Sequence, residues 1–414
     1  MKRVAGIVAS WLVVLLVSYA VLEMTVWRWL PRVFPLASVM NYLDQDVQLL
    51  AQYSKKNPLP DNYIAILGDS YAFGQGDWLF NRQGDVMPAY NVPHLLHDAT
   101  GRDVVTFGRP ASSSIKAYLE DPLAQLAFLR LRYVVADPAY AVLYFYEGND
   151  VVDNWQEYQV RYLGHGHAAG NVQDAAYFAR FVDGDILAAN RAMQRAQHPV
   201  WQDRLPAGRF FMSLLAGESL KQVAAVQQWL DPKPHRPIFK PQPRDHNTVL
   251  VAGAPQKIPD RLQVPPVALR DDEIAVAMTL FSYSLHELQR RWPHTTFALV
   301  YVPAVATAYE VVSDTVNIYD TERGKNYPTS SLLPMSDRVC AAVSRIAGEA
   351  GVAFVDARPA LRRAATTEFV HGPVDWLHFN EAGYRVLAGE IAGLLVQMES
   401  KQPPGGCVSL SAGK

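Results

Sequence analysis

The most persistent pattern along the chain is a run of nineteen residues, Val4 to Leu22, that carries no charge. About twenty apolar residues in an α-helix span a hydrocarbon core of roughly 30 Å, so the run predicts a membrane helix. Lys2 and Arg3 precede it, and Trp27, Arg28, Trp29 and Arg32 follow it, which are residue types that favour a membrane interface. Lys2 and Arg3 assign the amino terminus to the cytoplasmic side, although Arg28 and Arg32 blunt that asymmetry. A buried core helix and a cleaved signal peptide ending near Ser18-Tyr19-Ala20 are the competing readings. Beyond the anchor, short apolar runs recur, each closed by a glycine, a proline or an acid. They are Tyr63 to Leu67, Val104 to Phe107, Ala141 to Tyr146, Phe297 to Val302 and Val352 to Val355. All are rich in β-branched and aromatic residues and nearly continuous, the pattern of strands buried on both faces of a parallel sheet. Helical stretches alternate with them, at Leu123 to Arg132, Glu273 to Arg291, Asp337 to Ala350 and Ala382 to Met398. The expected fold is therefore α/β, a doubly wound parallel sheet of about five strands whose chemistry gathers at the strands' carboxyl ends.

The same pattern sets the expected boundaries. Residues 1–32 form the anchor and 33–62 an exposed connector, with a short helix around Tyr42 to Tyr53. Residues 63–157 and 273–398 form the sheet domain, 158–272 are an insertion, and 399–414 are a flexible tail. The insertion reads as helical from Asp174 to Gln197 and from Phe211 to Leu230. Nine prolines between Asp231 and Pro266 then exclude a regular helix or a central strand, leaving an extended strap.

Composition narrows the function. Of 414 residues half are hydrophobic and 19% charged, which supports a large core and excludes a disordered chain. A net charge of -2, from 38 basic and 40 acidic residues, gives no excess to hold a nucleic acid. Cys340 and Cys407 are too few for a disulfide framework or a Cys-rich zinc site; one bridge stays open, without support from their spacing. Gly74-Gln75-Gly76-Asp77 resembles a phosphate loop but lacks the lysine such loops use, and reads as a flexible loop lining a crevice. His165-Gly166-His167 reads as a solvent loop, and His371 as a surface residue. No metal or cofactor is expected. Trp78, Trp155 and Trp376 can stack on sugar rings or pack in the core.

Four short marks carry the chemistry. Strand one ends in Gly68-Asp69-Ser70, which puts a hydroxyl just past a buried strand. Asp375-Trp376-Leu377-His378 places an acid three residues before a histidine, where it can fix one ring nitrogen and leave the other facing a nucleophile. Gly108 follows strand two, and Gly148-Asn149-Asp150 follows strand three; a close backbone N–H and a side-chain amide there can hold a developing negative oxygen. Asp69 and Asp150 read as supports of their turns. Each mark alone is ordinary punctuation.

In this order the marks resemble the SGNH hydrolase superfamily, the GDSL-type esterases, whose four blocks centre on Ser, Gly, Asn and His. The resemblance covers about 63 to 157 and 273 to 398. Its second block often reads Asn-x-Gly-x-x-Gly, whereas here Thr106-Phe107-Gly108-Arg109-Pro110-Ala111 keeps only the central glycine. The resemblance implies a flavodoxin-like sheet and a Ser70, His378, Asp375 triad. It also implies an oxyanion hole of the Ser70 N–H, the Gly108 N–H and the Asn149 side chain. The expected function is an envelope esterase or acyltransferase in the inner membrane, single-pass, with its catalytic domain periplasmic. Its substrate is expected to be an acylated carbohydrate, acetyl first, or another ester, and its partner envelope polysaccharide machinery. A lipid esterase or thioesterase, and a non-catalytic envelope assembly protein, are the alternatives.

Overall fold

The computed structural model describes residues 2–33, 53–56, 59–79, 88–130, 134–188, 244, 246–318, 325–400 and 405–411. Helix α1 (Lys2–Val33) contains the uncharged run, and Gly6–Glu23 is long and apolar enough to cross a membrane by length and composition. The described side chains of this stretch stand almost entirely exposed. The flanking Trp27, Arg28, Trp29 and Arg32 side chains lie outside the described residues, as does the helix expected from Tyr42, up to Gln52.

Six strands form the main sheet: β1 (Tyr53–Ser54), β2 (Ile64–Leu67), β3 (Val104–Thr106), β4 (Tyr140–Tyr146), β7 (Thr296–Val302) and β11 (Ala353–Asp356). Their order is β1-β3-β2-β4-β7-β11, and the last five pair parallel throughout. Counting only these five gives 2-1-3-4-5, a doubly wound order whose direction reverses between β2 and β4. All five correspond to the apolar runs of the sequence. Alternate residues of each strand feed two cores. Leu67, Leu143, Phe145 and Leu299 face the layer of α4 (Asp121–Arg130), α5 (Asp150–Glu157), α7 (Asp271–Arg291) and α9 (Leu332–Glu349). Ile66, Val142, Tyr144 and Val300 face α3 (Val92–Thr100), α10 (Arg358–Ala365) and α11 (Glu381–Glu399). Each of these strand side chains is fully buried, worth about 1.5–3 kcal/mol apiece.

Several expectations are corrected. The connector is not wholly exposed: β1 pairs antiparallel with β3, and the Asp103 carboxylate accepts the Lys56 and Asp61 backbone N–H groups. The proline-rich strap contains a hairpin, β5 (Thr248–Val251) and β6 (Ala254–Lys257), which joins β8 (Glu310–Val311) in a separate three-stranded sheet. Pro255 sits on β6, an edge strand where its missing N–H costs no ladder bond. A second hairpin, β9 (Thr315–Ile318) with β10 (Lys325–Pro328), has no counterpart in the sequence reading. Within the insertion, α6 (Ala175–Phe181) and a π-turn to Ile186 occupy the start of the expected helix. Residues 189–243, including Phe211 to Leu230 and five of the prolines, lie outside the described residues.

The tail is corrected as well. Glu399 ends α11, and 405–411 is tied down by a Cys340–Cys407 disulfide. Arg358 donates to the Val408 carbonyl, and the Asp337 carboxylate accepts the Leu410 and Ser411 N–H groups. Spacing gave no hint of the bridge, because 67 residues separate cysteines that only α9 and the tail bring together.

Candidate active site

In a doubly wound sheet the point where the strand order reverses is where chemistry gathers, at the strands' carboxyl ends; here it lies between β2 and β4, and Ser70 and Asn149 follow those two strands. After β2 the chain turns through Gly68 and Asp69 into the single turn α2 (Ser70–Phe73). The Asp69 carboxylate caps that turn by accepting the Tyr71 N–H at 2.9 Å. Ser70 thus stands at the first helical position. It is 7% exposed, so it is buried rather than on an open surface.

His378 and Asp375 come from the loop between α10 and α11. Asp375 Oδ2 lies 2.6 Å from His378 Nδ1, and His378 Nε2 lies 2.8 Å from Ser70 Oγ. Burial works against ionisation of Asp375. The facing His378 imidazole and its hydrogen bond, with the Leu377 N–H at 3.0 Å, nonetheless hold its carboxyl below the usual range. An ionised Asp375 requires a proton on Nδ1, which leaves the Nε2 lone pair to accept the Ser70 hydroxyl. The other acceptor near that hydroxyl, Asp69 Oδ2, is farther away at 3.4 Å.

The expected oxyanion donors are assembled differently. Asn149 opens α5 after β4, and its Nδ2 donates to Asp69 Oδ2 at 3.1 Å. Gly108 packs against α2 so closely that a β-carbon would strike Ala72 and Phe73, so no other residue fits. Its N–H is engaged, however, donating to Thr106 Oγ1 at 3.1 Å. The Ser70 N–H has no hydrogen-bond acceptor among the described residues. One expected donor is therefore open at once, Asn149 has a second N–H, and Gly108 must share. The departure in block two has a structural side: Thr106 holds the Ala72 carbonyl and the Gly108 N–H, and Ala111 takes φ 56°, a left-handed conformation that suits glycine.

Asp69 and Asp150 behave as turn supports; Asp150 Oδ2 accepts the Tyr146 N–H at 2.8 Å. Burial, first, pushes both carboxyls up, and for Asp150 the neighbouring Asp69 adds to it. Asp153, one turn further along α5, is raised to about 7 by burial and by Asp69.

Other residues are relocated. His371 is fully buried, not on the surface: the Tyr309 hydroxyl meets Nδ1 at 3.1 Å and the Tyr71 hydroxyl lies 3.5 Å from Nε2. Burial drives its pKa down to about 3, so it is a neutral packing group. Gly74-Gln75-Gly76-Asp77 is braced rather than loose, since Tyr384 donates to the Gln75 carbonyl at 2.5 Å and Gly76 abuts the Phe379 carbonyl. His167 sits between the Tyr177 hydroxyl and Asp185, a carboxylate that the sequence reading did not connect with it. Trp155 stacks on Tyr158, Trp376 packs edge-on against Phe369 under Arg244, and Trp78 donates to the Gly74 carbonyl. Trp155 and Trp376 thus pack against the protein's own aromatic rings.

No family model, curated protein or solved structure matches this chain.

Proposed function

We propose that this chain is a membrane-anchored serine esterase or acyltransferase of SGNH type, working outside the cytoplasm. The observation that carries the reading is the unbroken chain Ser70 Oγ, His378 Nε2, His378 Nδ1, Asp375 Oδ2, with links of 2.8 and 2.6 Å. A hydroxyl, a correctly tautomerised imidazole and an ionised acid in series are what activates a serine. Ser70 Oγ attacks the ester carbonyl carbon as its proton passes to His378 Nε2. The oxyanion is held by the Ser70 N–H and the Asn149 amide, with the Gly108 N–H shared from Thr106. Collapse breaks the bond to the leaving alcohol, which takes the proton from His378 and leaves an acyl-serine. Water or a sugar hydroxyl then runs the sequence in reverse, giving a hydrolase or a transferase.

Two observations support the location. Gly6–Glu23 has the length and composition of a membrane span, and both cysteines of the chain are joined in a disulfide, which persists in oxidising compartments. Protease treatment of spheroplasts tests this; protection of the large domain by an intact membrane reverses the topology.

The substrate class we favour is a small acyl ester, acetyl first, on a cell-surface glycan. The test is activity of the full chain on acetylated oligosaccharides beside p-nitrophenyl esters of increasing acyl length. Acetyl preference with transfer or release on the glycan supports the reading. Preference for long acyl chains makes it a lipid esterase, and inactivity on every ester makes it an assembly protein.

A further inference from the structure

The acid and base of the site lie on a loop that belongs to no strand, so something other than the sheet must set their distance from Ser70. The Asp77 carboxylate is placed to do so. Its Oδ1 accepts the Asp375 N–H at 2.6 Å and the Val374 N–H at 3.1 Å, two consecutive amides at the start of the acid–base loop. Asp77 itself is joined to the nucleophile by only six residues, and that connection is braced by its own hydrogen bonds. The Gln75 N–H donates to the Ser70 carbonyl at 3.0 Å, and Gly74 closes α2 in a left-handed conformation. The Leu79 N–H donates to the Gly76 carbonyl at 3.0 Å, which closes a 3₁₀ turn over Asp77–Leu79. A β-carbon at Gly76 would come within 2.7 Å of the Phe379 carbonyl, next to His378, so the two segments also touch there.

We propose that Asp77 is a positioning residue of this site, a carboxylate clamp that locks the Asp375–His378 loop against the helix of Ser70. This rests on the serine-enzyme reading above. The contact needs a carboxylate or carboxamide oxygen of this length, because one atom must serve two adjacent N–H groups. It touches neither substrate nor the reacting atoms. It fixes where Asp375 Oδ2 stands, and through it the His378 ring. A misplacement of about 1 Å at a reacting group can cost on the order of 100-fold in rate, whereas one half-buried carboxylate contributes little to the core.

The test uses full-length protein with Asp77→Ala and Asp77→Asn. Two quantities are read: steady-state kinetics on p-nitrophenyl acetate, and the low-field proton of His378 Nδ1, assigned by its absence in His378→Ala. The clamp predicts that Asp77→Ala lowers kcat about 10- to 100-fold with KM nearly unchanged, and weakens or shifts the low-field signal. Asp77→Asn keeps the acceptor oxygen and restores both. Should Asp77→Ala not fold, Asp77→Ser, too short to reach, is read the same way. Wild-type kcat and an unchanged proton signal in the alanine protein overturn the clamp. So does an asparagine protein as impaired as the alanine one, because the acceptor oxygen would then not be what matters. If wild type itself cleaves no ester, the serine-enzyme reading has failed, and the proton signal alone decides whether Asp77 sets the loop.

Discussion

The two halves of the site are built on opposite plans. Ser70 is held by the sheet: it follows β2, which lies between β3 and β4 with all four residues buried, and its turn is capped by its neighbour Asp69. Asp375 and His378 are held by contacts of their loop, side-chain and backbone alike. Their loop has no strand beneath it and is tied by Asp77 to two of its amides, by the Tyr71 hydroxyl to the Leu377 carbonyl at 2.6 Å, and by a short Gly372–Asp375 turn. The contrast extends to charge. Asp69 and Asp375 are both buried aspartates, 2% and 7% exposed, yet one is pushed up and the other held down. Burial opposes ionisation in both. Asp375 overcomes it because a hydrogen-bonded imidazole directly faces it, while Asp69 is served by weaker neutral donors and has His378 only at longer range. A half set by the sheet, which supplies the nucleophile, and a half set by loop contacts, which supplies the proton relay, should respond differently to substitution.

The largest expected effect is on the relay. Asp375→Asn removes the charge that selects the His378 tautomer while keeping the shape, and should lower kcat about 10⁴-fold with the melting temperature changed little. Activity within tenfold of wild type would erase the distinction between the halves. Asn149→Ala deletes the donor after β4 and should lower kcat by about 100-fold or more, measured on the same ester. The matching change in the sheet, Ile66→Ala, empties a fully buried strand position; it should cost about 2–5 kcal/mol of stability in denaturant unfolding.

The smallest effect sharpens the charge comparison. Asp153 has its pKa raised to about 7 in the folded protein, from 3.8 in the ordinary case, by burial and by Asp69. The unfolded chain therefore releases this proton first, so the group costs stability increasingly as pH rises from about 4 to 7. Asp153→Asn should raise the melting temperature at pH 8 and leave it unchanged at pH 4. Asp375 has the opposite sign: its depressed pKa gives stability that is present above 3.8 and lost as pH falls through the lower folded value. A gain for Asp153→Asn that is equal at both pH values would show that charge is not its cause.

The half set by the sheet was legible in the sequence, and the half set by loop contacts only in part. Apolar runs such as Ile64–Leu67 and Tyr140–Tyr146 announce buried parallel strands by composition alone, and Ser70 and Asn149 follow from where those runs stop. The Asp375–His378 pair was legible because three residues is the reach of a tight turn. What holds that turn was not. Asp77 meets it across 298 residues, and Tyr71 across 306. His371 looked like a surface residue because the tyrosines that bury it lie 62 and 300 residues away. A two-residue strand such as β1 carries no period to detect, and a disulfide between two lone cysteines leaves no spacing signature.

The most direct measurement is covalent labelling of the full-length protein with a fluorophosphonate, followed by peptide mass spectrometry. Phosphorus takes the place of the carbonyl carbon, so the probe reports a serine whose proton has a working acceptor. One adduct is expected, on Ser70, absent from Ser70→Ala and formed far more slowly in His378→Ala. An unlabelled wild-type protein, or a rate that does not change when His378 is removed, would contradict it.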